Sequence, residues 1–476
     1  MEQAASRRRR QRRRLRPAYR ISDLPDNVLH SILRRLGSAP AAARTSVLSS
    51  RWRHVWAYLP QLVFQDSGYQ FRNPSFFLNS VDGALDRYAA TTLRSLYISM
   101  FNVASRVPAA RVSRWLRFSS ERVAGDLLLC LPWRPADGEE EELELPVCAS
   151  TRTIQLGVGH GFRQLRLPRI GAFGALTLMI IRDARIDAND LERVVCWQCP
   201  CLVELHLMAM SLVAVADVTV RSASLRRLHF EVENTSRLVL DTPSIEELSL
   251  SKVFKVSVVA PKFAEMIAQR HGAAADLHRQ LLGRRLRWLV VKGCHQVMPV
   301  LMRHFDAVDR LELDLTVSSG EGYKTFLRAT NKLTKCDVLV VNMTTEWHAY
   351  EPSLLYLVRK SAAIRKLVVH LPWTECSPCM PGCTCGRKGS EKTDNIKLDS
   401  LEEVEINDFT GEYHHVKIVK LLLSCKDISA SRIVVNISPL LCSLSEGTCQ
   451  RIRNEAHPST NIRFNVWLHG RWEPYS

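Results

Sequence analysis

Apolar residues recur along this chain in two rhythms, and the change from one to the other divides it. From Ile21 onward Val28, Leu29, Ile32, Leu33 and Leu36 fall at the spacing of one helix face. Ser22, Asp23 and Asp26 precede them as cap residues, and Gly37 stops the run. After the Gly37-Ser38-Ala39-Pro40 break, Ala41 to Leu59 predicts a second helical stretch, with Val47, Leu48, Trp52, Val55 and Trp56 on one side and Pro60 at its end. Together these make a helical module of about forty residues.

Beyond Tyr88 the unit is different: an apolar residue, two variable ones, then an apolar–variable–apolar triplet. It recurs at Leu93-Leu96-Ile98, Phe162-Leu165-Leu167, Phe173-Leu176-Leu178, Leu202-Leu205-Leu207, Leu225-Leu228-Phe230, Ile245-Leu248-Leu250, Leu286-Leu289-Val291, Val308-Leu311-Leu313, Ile364-Leu367-Val369 and Leu401-Val404-Ile406. The step from Leu202 to Leu225 is 23 residues and the next, to Ile245, is 20, close to one solenoid repeat. Each triplet predicts a short strand whose alternate residues enter a core, and stacking in parallel buries what one repeat cannot. The expected fold is α/β: a small helical module, then an irregular leucine-rich solenoid with parallel strands on its concave face, then a C-terminal α/β cap. The cap is expected from Phe409-Thr410-Gly411, a helix over Val416 to Ser424, and strands over Ile433 to Ile437 and Ile462 to Leu468. Two inserts, 132–146 and 374–393, read as surface loops.

Strand parity also nominates a binding face. If Leu205 and Leu207 point inward, Glu204, His206 and Met208 point out, and the same parity brings Arg227, His229, Trp288, Lys292, Arg310, Glu312 and Lys366 to the concave side. Trp288 is the odd member. A tryptophan there predicts either the centre of a target site or a surface covered by an insert such as Ala260 to Leu282.

Composition changes this picture little. The 476 residues, 46% hydrophobic and 24% charged, exclude wholesale disorder, and no apolar stretch approaches the roughly 20 residues of a membrane helix. The net charge of +17 owes eight charges to Arg7, Arg8, Arg9, Arg10, Arg12, Arg13, Arg14 and Arg16, so the remainder carries only about +9. Residues 1–20 read as a disordered arm, and the block as a nuclear-import signal, a nonspecific nucleic-acid contact or a solvated tail. With no apolar leader segment in the first twenty residues, the expected location is nucleus and/or cytoplasm, where the 14 cysteines are reduced thiols. Nucleic-acid binding by the folded body has no platform of interleaved aromatic and basic residues, and no membrane partner is expected.

Candidate chemistry is sparse. Cys376, Cys379, Cys383 and Cys385 could hold one tetrahedral zinc, but the spacing departs from the two separated close pairs of common sites, so no metal or cofactor is assigned. Cys196, Cys199 and Cys201 read as repeat core. Gly157-Val158-Gly159-His160-Gly161 lacks the Lys-Ser/Thr step of a phosphate loop and reads as a turn. No nucleophile or zinc-protease motif is present, and no enzyme activity is expected.

The segment Ile21 to Phe64 resembles the plant F-box: Leu24-Pro25-Asp26, Leu29, Ile32-Leu33 and Leu36, then Arg44-Thr45-Ser46-Val47-Leu48-Ser49-Ser50-Arg51-Trp52-Arg53, Trp56, Leu59-Pro60 and Leu62. The Gly37 to Ala43 turn departs from that pattern, carrying Ala and Pro where acidic and basic residues are usual. Cys199-Pro200-Cys201-Leu202-Val203-Glu204-Leu205-His206-Leu207 resembles the repeat signature of plant F-box proteins that end in an FBD domain, and Leu398 to Gly411 with Lys420-Leu421-Leu422 resembles the start of that domain. The implied division is an arm at 1–20, an F-box at 21–64, leucine-rich repeats at 88–395 and an FBD-like unit at 396–476. The resemblance implies a non-catalytic substrate-recognition subunit of a Skp1-cullin-F-box ubiquitin ligase. Its F-box would bind a Skp1-type adaptor, and through it a cullin-RING ligase, while the repeats bind a protein target. A forty-residue module buries little on its own, so Leu24, Pro25, Leu29, Ile32, Leu33, Leu36, Leu48, Trp52 and Trp56 are expected at the adaptor interface. The competing expectation is a nuclear scaffold or nucleic-acid-associated protein working through the basic arm.

Overall fold

The computed structural model describes residues 21–475 except 22–23, 67–73, 101–106, 133–140, 259–285, 373–395, 439–445 and 456–460 and short gaps at 160, 294–295, 306, 362, 397, 426–427, 429–430 and 469–470. The arginine arm, the 374–393 insert with its four cysteines, and the Ala260 to Leu282 insert thus lie outside the described residues.

The first helix, Asp26–Arg34, starts on Pro25, whose carbonyl accepts from the amides of Val28 and Leu29 at 3.0 and 3.1 Å. Its Leu29 and Leu33 are buried. The expected second helix is broken into Ala39–Arg44, a 3-10 turn Thr45–Val47, a short helix Trp52–Val55 and a 3-10 turn Trp56–Tyr58. Ser38 caps the first piece through Ala41 N–H. The break follows from Thr45 and Ser46, whose hydroxyls bond back to the carbonyls of Ala42 and Ala43 and compete with helix continuation.

Strands β1 (Gln61–Asp66), β2 (Leu93–Met100), β3 (Val123–Cys130), β5 (Thr153–Gly157), β7 (Leu178–Arg182), β9 (Glu204–Arg221), β10 (Arg227–Asp241) and β11 (Glu247–Val258) pair in that order, all parallel. The same sheet continues through β12 (Leu286–Lys292), β13 (Ala307–Ser318), β14 (Lys335–Glu346) and β15 (Lys366–His370). The short β8 (Arg185–Ile186) joins β9. Outside this sheet, β4 (Glu142–Glu144) and β6 (Gln164–Arg166) pair with each other. The 132–146 insert is therefore not a loop throughout: Leu143 and Leu145 are buried, which anchors its second half.

Register locates the true repeat. Leu205 and Leu207 oppose Met179 and Ile181 on one side and Leu228 and Phe230 on the other, all buried. The triplet on β7 is thus Leu176-Met179-Ile181, three residues beyond the expected one. Leu178 is apolar but stands in an outward position. The Phe162 triplet belongs to the small β4–β6 sheet, while the neighbouring repeat strand is β5, with Ile154 and Leu156 in the core. β9, β10 and β11 run long because the chain turns a corner within them, at Ala209, Asn234 and Lys252 in left-handed φ.

The C-terminal unit prolongs this sheet. β16 (Glu403–Phe409), β17 (Arg432–Ile437) and β18 (Asn461–Leu468) add in parallel, and β19 (Arg471–Pro474) returns antiparallel to end it. Helices Tyr350–Lys360 and Tyr413–Leu423 cover the inner face through Leu354, Leu357, Ile418 and Leu422. The result is a mixed α/β array with one continuous leucine-rich core from Leu29 to Phe464.

Candidate functional site

At the N-terminal module the structure separates the nine expected adaptor contacts. Leu29, Leu33, Trp52 and Trp56 are buried and share a core with Leu59, Leu62, Phe64 and Phe77, and so hold the module to β1 and the first repeat. The two indoles, four residues apart, both pack inward with that core. Leu24 and Ile32 are half-buried against that core, and Pro25 is exposed. Leu36 and Leu48 face solvent, joined by Val28 and by Val47, which is 88% exposed. Val47 was not among the nine, although it shares the predicted apolar side with Leu48, Trp52 and Trp56. An ion pair from Arg51 to Asp26 and a 3.0 Å contact of His30 Nε2 with the Val55 carbonyl tie the two halves together. The Tyr88 hydroxyl, 3.0 Å from the Leu59 carbonyl, anchors the module to the array, and burial pushes its pKa up to about 12.

On the open face of the sheet, three rows of outward side chains cross the strands. The first reads Glu204, Arg227, Glu247, Trp288, Arg310, Val338, Lys366, Glu403 and Arg432. The second reads His206, His229, Ser249, Val290, Glu312, Val340, Val368 and Glu405, and the third includes Glu231, Ser251, Lys292, Asp314, Asn342 and His370. Nine of the ten residues expected from parity lie in these rows; the tenth, Met208, pairs with Arg182 of β7 at the register shift between β9 and β10.

Opposite charges neighbour one another across strands, where side chains about 5 Å apart interact. Arg227 pairs with Glu204, and Lys366 Nζ lies 2.8 Å from Glu403 and 2.7 Å from Glu405. Burial opposes the Lys366 charge, but the two carboxylates outweigh it and raise its pKa. Arg310 stands over the Trp288 ring, 5.1 Å from its centroid, and 3.5 Å from Glu312. Burial raises the Asp314 pKa, with Lys292 opposing. His206 and His229 stack with centroids 6.1 Å apart, and burial holds both below the ordinary histidine value.

Between these residues lies a cavity of about 260 Å³. It is lined by residues that include His206, His229, Ser249, Trp288, Lys292 and Glu312. Trp288 is 38% exposed. Further along, Asn407, Asn436 and Asn465 form a ladder, Asn436 donating to Asn407 at 2.7 Å and Asn465 to Asn436 at 2.9 Å. Sequence reasoning missed it, although three asparagines at successive 29-residue steps were a signal. Among the described residues no cluster of three His, Cys, Asp or Glu could hold a metal. Cys199 is buried, Cys196 half-buried and Cys201 exposed. Gly159 sits in a turn with φ +71°, where a Cβ would meet the Pro132 carbonyl oxygen at 2.3 Å.

A family model described as the F-box domain matches residues 21–63. One described as the leucine-rich repeats of the FBD-associated F-box protein At5g56370 matches residues 112–268. The F-box/LRR-repeat protein At2g42720 of Arabidopsis thaliana is 24% identical over 446 residues, 89% of this chain and 96% of its own length. Two other Arabidopsis proteins match about half of each chain: F-box/FBD/LRR-repeat protein At2g04230, 27% identical over 254 residues (50% and 54%), and F-box protein At3g03040, 30% identical over 245 residues (47% and 49%). The helical module therefore matches the F-box domain, and the array joined to it matches leucine-rich repeats of the FBD-associated kind.

Proposed function

We propose that this chain is the target-recognition subunit of a Skp1-cullin-F-box ubiquitin ligase. The module at 21–64 docks a Skp1-type adaptor, and the open face of the array, including the strands of the FBD-like unit at 396–476, holds a protein target. The chain supplies proximity, raising the effective concentration of target lysines near the ubiquitin-loading subunits, and none of its side chains enters the chemistry. The arginine block at Arg7 to Arg16 serves as an import signal that brings the receptor to nuclear targets.

The observation that carries this reading is the partition of apolar residues within the F-box. Its tryptophans are spent on the fold, yet Val28, Leu36, Val47 and Leu48 remain outside it. An apolar set on so small a unit marks a surface for a partner. The test is affinity capture of tagged full-length chain beside a Val47→Asp/Leu48→Asp variant. Deleting the whole module would be a poorer control, because Leu59 and Leu62 belong to the shared core. The expected result is that adaptor and cullin disappear from the variant's partners while array-bound proteins stay; adaptor recovered equally with both would contradict the proposal.

A further inference from the structure

The two basic side chains are unevenly placed along this chain. The first 251 residues hold 34 arginines and no lysine, whereas all 15 lysines lie between Lys252 and Lys426, among 16 further arginines. The boundary follows the architecture: the N-terminal module and every strand up to β10 carry no lysine, and the first one stands on β11. Seven steps between paired strands, each about 4.8 Å, put it roughly 34 Å along the array from β1.

Pairing geometry does not account for the choice of arginine. Some of these guanidinium groups hold a carboxylate, as Arg51 holds Asp26 and Arg227 holds Glu204. Yet Arg34, Arg35, Arg53, Arg94, Arg117 and Arg152 are exposed, and their guanidinium groups make no hydrogen bond or ion pair among the described residues. At such positions lysine carries the same charge with nearly the same helix propensity. Nor does the fold exclude lysine: past the boundary Lys252 holds Glu233 at 2.6 Å, Lys324 holds Glu321 at 2.6 Å and Lys366 holds Glu403 at 2.8 Å.

What separates the two cations is reactivity. A neutral lysine ε-amine attacks the carbonyl carbon of a ubiquitin thioester on a conjugating enzyme: the C–N bond forms, the C–S bond breaks, the enzyme's thiolate leaves, and the amine releases a proton to solvent. Arginine stays protonated, its lone pairs delocalised, and does not react. A chain held inside a ligase is tethered near such thioesters, so each exposed lysine on it competes with the target at high effective concentration. Ubiquitin attached to the module would also crowd the exposed Val47 and Leu48 on which docking depends.

We propose that the lysine-free half, residues 1–251, guards the receptor against its own ligase, so that the module and the first repeats carry positive charge without offering an acceptor. The inference rests on the receptor reading and adds a regulation to it. It also accounts for an arm whose cations, from Arg7 to Arg16, are arginine alone.

The experiment compares the full chain with an Arg94→Lys/Arg117→Lys/Arg152→Lys variant and an Arg287→Lys control, which adds one exposed lysine to the half that already has them. Each is assembled with a purified Skp1-type adaptor, a cullin-RING core, activating and conjugating enzymes and ubiquitin. Melting temperatures equal to the parent's show that the changes leave the fold intact. Peptide mapping is expected to find ubiquitin on the new lysines of the triple variant, and its half-life in cells is expected to fall about twofold or more, with that of the control unchanged. New lysines that stay unmodified, a half-life equal to the parent's, or an equal fall in the control would overturn the guard and leave the distribution a matter of composition. Adaptor binding on the same samples separates the two readings. If parent and variant both bind while the new lysines stay bare, the guard alone fails; if the parent does not bind, the receptor reading fails and the guard with it.

Discussion

Single alanine substitutions at Val47, Leu48 and Trp52 distinguish a residue that meets the adaptor from one that builds the module. Val47 is 88% and Leu48 59% exposed, so most of each side chain is still available for burial in a complex. Fully burying such a side chain contributes about 1.5–3 kcal/mol, which leaves about 1–2 kcal/mol to be gained at each position on docking. Val47→Ala and Leu48→Ala should each weaken adaptor binding by about fivefold to thirtyfold, with the melting temperature of the free chain unchanged. The two are adjacent in sequence, so the double variant need not equal their sum. Trp52 is 2% exposed, and Trp52→Ala should cost about 3–5 kcal/mol of stability through the cavity it leaves. Titration calorimetry with a purified Skp1-type adaptor and thermal denaturation of each free variant supply the two readouts. Undiminished binding by both Val47→Ala and Leu48→Ala, or unaltered stability of Trp52→Ala, would refute this partition.

Three further expectations concern other parts of the chain. Deleting Arg7 to Arg16 should lower the nuclear fraction of a fluorescently tagged chain in cells without changing adaptor affinity measured in vitro; an unchanged nuclear fraction would make the block an inert tail. His415 is buried, accepting at Nδ1 from Thr410 N–H at 3.1 Å and lying 2.9 Å at Nε2 from the Pro372 carbonyl, and burial holds its pKa below the ordinary 6.5. The unfolded chain therefore binds the proton more readily, so this site's contribution is intact above pH 6.5 and is lost as pH falls below it. The melting temperature should drop between pH 7 and 5, and less steeply in His415→Gln. Gly159→Ala should destabilise by about 1 kcal/mol or more, since it combines positive φ with a clash, whereas Gly161→Ala, with open space at its Cβ, should be nearly neutral in the same melting assay.

The strands were legible wherever the repeat kept a large aliphatic or aromatic residue at its three inward positions, as on β9 to β13. They were lost where another residue filled the role. Thr151 leads the β5 repeat, fully buried because its hydroxyl donates to the Val123 carbonyl at 2.9 Å, and Cys336 leads that of β14. Leu178 misled in the opposite sense, since an apolar residue facing outward imitates a core position. Parity, once set by Leu205 and Leu207, placed every expected target-face residue on the open side, because a pleated strand permits only two directions. It could not foresee the cavity, which depends on which strands carry serine beside histidine and tryptophan. The F-box motif named the module but not which of its residues face out, because exposure there is set by the breaks at Thr45 to Ser50 and by packing against β1, a long-range contact invisible to helical periodicity.

The claim on which the rest depends is that the module at 21–64 is a docking unit, and titration of the full chain with a purified Skp1-type adaptor addresses it most directly. The account predicts a one-to-one complex that the Val47→Asp/Leu48→Asp variant fails to form while melting like the parent. No binding by the parent, or equal binding by a variant that has kept its fold, would contradict it.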